Sequence, residues 1–167
     1  IFAWLIWKTL NASGKPLAFY DYYIFSALGW FVIQAVYEAV YFMNAATAPS
    51  RDILLALVST WQAPLRDLQI HGFAMLMILG VSQRLFHNFY GLPAPQPWRS
   101  LIVLILLNIA IAGEATGVVL MRTNGHAWAA LWYGAIVLMA FSLAYLVWGW
   151  RLHNRSEESD RSLKFLR

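Results

Sequence analysis

The chain contains no cysteine. Disulfides, thiolate nucleophiles and zinc–thiolate centres are therefore excluded, and the redox compartment stays open. Charge is also scarce: 12% of residues are Asp, Glu, Lys or Arg, against roughly 25% in soluble domains. No Gly-rich phosphate loop, HExxH pair or Ser/His/Asp spacing occurs, so nucleotide and hydrolase readings lack support. An internal repeat, which would favour a transporter, is missing too.

What is present points to a lipid bilayer. Of 167 residues, 60% are hydrophobic, and nine Trp, eight Tyr and ten Phe suit membrane interfaces. The net charge of +4 does not imply nucleic acid, because the basic residues sit at span ends and in the tail. The expected fold is an all-α polytopic transmembrane helix bundle. Four spans approach the ~20 residues that a bilayer core requires: Phe19–Met43, Pro64–Phe86, Trp98–Met121 and Ala127–Trp150. Turn-forming segments at 11–16, 47–49, 91–97 and 123–125 separate them. Between Ser50 and Trp61, Ile53, Leu54, Leu57 and Val58 recur at helical spacing and predict a short interfacial helix.

Ile1–Thr9 reads as the end of a preceding helix, and nothing there resembles a signal peptide. Residues 1–167 thus form one transmembrane domain, expected to be a fragment of a longer chain. Residues 151–167 are its tail or connector. Nine basic residues (Lys8, Lys15, Arg84, Arg99, Arg151, Arg155, Arg161, Lys164, Arg167) fall on one side of the spans. Only Arg51, Arg66 and Arg122 fall on the other. The first side, with the C-terminal tail, is expected to be cytoplasmic.

An ionisable side chain deep in a span costs about 2.5 kcal/mol or more when charged, and so marks a site. At 1.5 Å per residue, Glu38, His71 and Glu114 lie about 9, 10 and 12 Å in from the outer ends of three spans. They share one layer, which Gln34 extends inward from Glu38 by one helical turn. Asp67, one turn before His71, is placed to accept its Nδ1–H and turn Nε2 toward a metal. Gly72 and Gly80 make that helix face flat enough for another helix or a macrocycle. Ala110, Gly113 and Gly117 suggest small-residue helix packing. Either glutamate could instead be a protonated carboxyl acting as interhelical glue, and His71 a satisfied neutral imidazole. His87 and His153 read as interfacial, His126 as a loop residue, and Met75 and Met77 as packing or lipid-facing side chains.

The stretch Arg66-Asp67-Leu68-Gln69-Ile70-His71-Gly72-Phe73 continues as Met77-Ile78-Leu79-Gly80-Val81-Ser82-Gln83-Arg84 and Phe89-Tyr90-Gly91-Leu92-Pro93. It resembles the NnrS-type family, membrane proteins related to the catalytic subunits of haem-copper oxidases and nitric oxide reductases. The resemblance covers about a third of the chain. It implies a haem- and copper-associated subunit in the bacterial inner membrane, linked to respiratory or nitric oxide metabolism. Only His71 carries over as a metal ligand; Asp67 and Gly72 are cofactor-binding candidates from their spacing to it alone. Family members have more spans and several buried histidines, so this chain alone cannot build a bimetallic centre. Either the rest lies in a missing part of the chain, or the protein has kept the fold and lost the chemistry; its expected partners are other membrane subunits or that missing part. Two other functions fit the sequence: a non-catalytic structural subunit of a larger complex, and a small-solute or proton transporter.

Overall fold

A computed structural model describes residues 4, 5, 8, 9, 12, 17–90 and 96–150. The expected preceding helix end, the loop around Gly91 and the 151–167 tail, with its His153, lie largely or wholly outside these residues. Among the described residues the structure is helical, without strands. Helix α1, Phe19–Ala46, begins where the Asp21 carboxylate accepts the Ala18 N–H at 2.8 Å. That bond satisfies a donor the first turn leaves free, and the acid sits at the positive end of the helix dipole.

Helix α2, Arg51–Asp67, starts at Ser50, whose Oγ accepts the Ile53 N–H. It was expected to be a short helix ending near Trp61, with a new span beginning at Pro64. Instead Pro64 lies inside α2, which passes directly into a π-helical segment, Leu68–Met75, and then α3, Leu76–Tyr90. Proline lacks the backbone donor that would bond the Thr60 carbonyl, yet α2 continues through it. The π segment begins four residues after Pro64.

Helix α4, Pro97–Asn124, opens with proline at its first position, where no amide is needed. It is the inner helix of the bundle, burying Val103, Leu107, Ala110, Ile111 and Glu114. It ends at Gly125, whose φ of 106° admits glycine without strain. A single 3₁₀ turn, His126–Trp128, then leads into α5, Ala129–Gly149.

Among the described residues, three helical stretches are long and apolar enough to cross a membrane: α1, α4 and His126–Gly149. The chain is therefore a membrane protein, with Val36, Met43, Phe141 and Trp148 exposed where lipid would lie. The expected span Pro64–Phe86 is not one regular helix, because the π segment interrupts it between the end of α2 and α3.

Specific contacts set the relative directions of the helices. The Tyr23 hydroxyl donates to the Ser100 carbonyl at 2.7 Å, and Ser26 and Trp30 both donate to Asn108 Oδ1. Numbers rise together along α1 and α4, so the two run parallel. Against the π segment and α3 the order reverses: Gly80 meets Tyr23 and Ile24, and Gly72 meets Trp30. Tyr37 continues that antiparallel pairing by donating to the Trp61 carbonyl.

The small residues of α4 pack as expected. A Cβ on Gly113 would lie 3.3 Å from Ala135, and one on Gly117 2.9 Å from the Trp132 backbone nitrogen. Gly117→Ala is therefore expected to force α4 and α5 apart, at a cost of about 1–3 kcal/mol. Denaturation in detergent would measure this, and an unchanged midpoint would mean that the helices separate freely. Met75 and Met77 pack against the core.

Candidate metal centre

His71 sits in the π segment, and Asp67 is the residue just before it begins. Segments of this kind recur at functional sites. Glu114 enters from α4, where its neighbours at 110, 111, 117 and 118 are buried. Its side chain is 5% exposed, whereas the His71 ring is 31% exposed. The His71 Nδ1 and Glu114 Oε2 atoms are 2.7 Å apart. Asp67, His71 and Glu114 each offer one ligand atom, all within 4.8 Å of one another.

This geometry corrects the expected role of Asp67. Nδ1 is held by Glu114 on another helix, and not by the carboxylate one turn away. Sequence spacing showed that Asp67 could reach His71, but not that α4 brings a second carboxylate closer. The contact leaves Nε2 as the free ring donor; an ion ligated by both His71 and Glu114 would take the place of the proton between Nδ1 and Oε2.

Two of the three residues expected in one layer, His71 and Glu114, are in contact. Gln34 is buried on the inner face of α1, and its Oε1 has no hydrogen-bond partner among the described residues. Glu38 is only half-buried and does not join the cluster. It makes no hydrogen bond or ion pair with a described residue. His126 is exposed in the turn between α4 and α5.

The space expected beside Gly72 is filled by a helix. A Cβ there would lie 3.0 Å from the Trp30 Cβ and 3.1 Å from its Cγ. Gly80 is covered in the same way by Ile24 and Tyr23. The flat face therefore seats α1, and a macrocycle does not fit against Gly72.

Sequence reasoning missed the polar ties between helices. Asn108 Oδ1 accepts from both Ser26 and Trp30 at 2.7 Å, while its Nδ2 donates to the Leu104 carbonyl. Nearer Pro97, Ser100 Oγ donates to Gln83 Oε1 at 2.6 Å. A lone amide within the apolar run Leu106-Leu107-Asn108-Ile109 was the available signal, since a buried amide needs partners.

Comparison with family models, curated proteins and solved structures gives no match.

Proposed function

We propose that this chain is a membrane subunit that holds a divalent metal ion inside its helix bundle, ligated by Asp67, His71 and Glu114. The observation that supports it is the convergence of three ligand atoms within 4.8 Å, where the π segment packs against the apolar bundle through Leu68 and Gly72. Two carboxylates this close repel strongly away from water, and removing a bare charge from water is costly. A divalent cation offsets both effects, and the imidazole supplies a neutral donor. The π segment and its flanking helices, over Pro64–Phe86, would form a fourth span, with the Arg155 end in the cytoplasm.

Elemental analysis of the purified full chain, loaded separately with Mn²⁺, Fe²⁺ and Zn²⁺, tests this. About one tightly held ion per chain is expected. Protein that stays metal-free in all three overturns the proposal.

A second reading follows from the resemblance: His71 as a haem ligand in a subunit of respiratory or nitric oxide metabolism. Its support is that Glu114 engages Nδ1 and leaves Nε2 to donate. With Trp30 on Gly72, the haem would have to approach the partly exposed edge of the ring. An absorption spectrum decides, because only bound haem produces a Soret band. Copper has no support beyond the resemblance.

A further inference from the structure

Gln34 is 8% exposed, and its Oε1 is buried without a partner. Buried amide oxygens are normally bonded, so an orphan calls for an explanation. Its position follows from two contacts of Trp30. One turn earlier on the same face, Trp30 touches both neighbouring elements: its Nε1–H donates to Asn108 of α4, and its Cβ packs on Gly72. Side chains four apart share a helix face, so Gln34 projects toward the same junction of α1, α4 and the π segment.

Its level along the axis follows too. Asn108 is bonded to Ser26 and Trp30 together. Because α1 and α4 run parallel, six residues further along each brings Glu114 level with residues 32–36. On the antiparallel side, the Trp30–Gly72 and Tyr37–Trp61 contacts bracket Gln34 between them, opposite residues 65–68. Both registers place Gln34 at the height of Asp67 and Glu114.

We infer that the Gln34 amide oxygen is a further ligand of the metal ion held by Asp67, His71 and Glu114, and that the site takes a six-coordinate cation of the Mn²⁺ or Fe²⁺ type. This rests on the metal-ion reading above. One imidazole nitrogen with three oxygens, two of them carboxylate, is a predominantly hard donor set. It suits those ions better than Cu⁺, which favours thiolate and thioether. The ligands leave coordination positions free for water or a small substrate.

The test is titration of the full chain in detergent with Mn²⁺ alone, following free Mn²⁺ by electron paramagnetic resonance. Wild type is expected to bind about one ion, and Gln34→Leu to bind it about 10-fold or more weakly. Gln34→Glu keeps an oxygen donor and should bind at least as tightly as wild type; weaker binding would overturn the assignment. His71→Ala serves as the reference for a lost ligand. If wild type takes up no Mn²⁺, this inference fails, and if it takes up no Fe²⁺ or Zn²⁺ either, the metal-ion reading fails with it. If His71→Ala loses the ion while Gln34→Leu binds like wild type, only the role of Gln34 is overturned.

Discussion

His71→Ala is expected to release the bound metal from protein that still inserts and folds. His71 provides the one nitrogen of the cluster, and its ring is held at Nδ1 by a nearly buried carboxylate. Loss of an orienting partner typically weakens a metal site about 10- to 100-fold, and loss of the ligand itself should exceed that. Asp67→Asn should fall within the smaller range, because an amide oxygen can still donate while the charge is gone. Equilibrium dialysis followed by elemental analysis would give both values. The order matters more than the magnitudes. If His71→Ala retains the wild-type affinity, the ion sits elsewhere and the cluster serves packing. If Asp67→Asn has the larger effect, the carboxylates hold the metal and His71 only neighbours it.

Depth was legible in the sequence, because residue spacing converts directly into rise along a helix. That is why Glu38, His71 and Glu114 could be placed in one layer, with Gln34 one turn further in, before any helix was packed. Facing direction was not legible. Glu38 stands one turn from Gln34, yet it ends half-buried and outside the cluster. The competition between Asp67 and Glu114 for Nδ1 was hidden for the same reason, since it depends on how α4 sits against the π segment. Composition found α1, α4 and α5, with ends differing by up to three residues. It failed at Pro64, where a local breaker signal met a chain able to continue as a π segment. Gly72 shows the limit most directly. A glycine announces that something approaches closely, but only the fold shows that Trp30 of α1 does so.

Removing only one member of the His71–Glu114 pair is expected to cost more stability than removing both. In His71→Leu, the Glu114 carboxylate keeps its buried position and loses its hydrogen-bonding partner on the π segment. Breaking a buried pair on one side typically costs about 3–5 kcal/mol, most of it the uncompensated charge left behind. The low end, about 3 kcal/mol, is expected here, because the His71 ring is one-third exposed and water can reach its side of the pair. In His71→Leu/Glu114→Leu neither member of the pair remains, the half-buried Asp67 is the one carboxylate left at the cluster, and two leucines take up the space between α4 and the π segment. Part of the loss should then be recovered, because a buried pair exchanged for apolar side chains of similar volume is often neutral or better. Denaturation midpoints of both single variants and the double variant, in metal-free detergent, give the coupling. A double variant no more stable than His71→Leu would mean that Glu114 finds another partner once the imidazole is gone. Recovery without metal binding would separate two roles of Glu114: it costs stability as a lone buried charge, and it is a ligand of the ion.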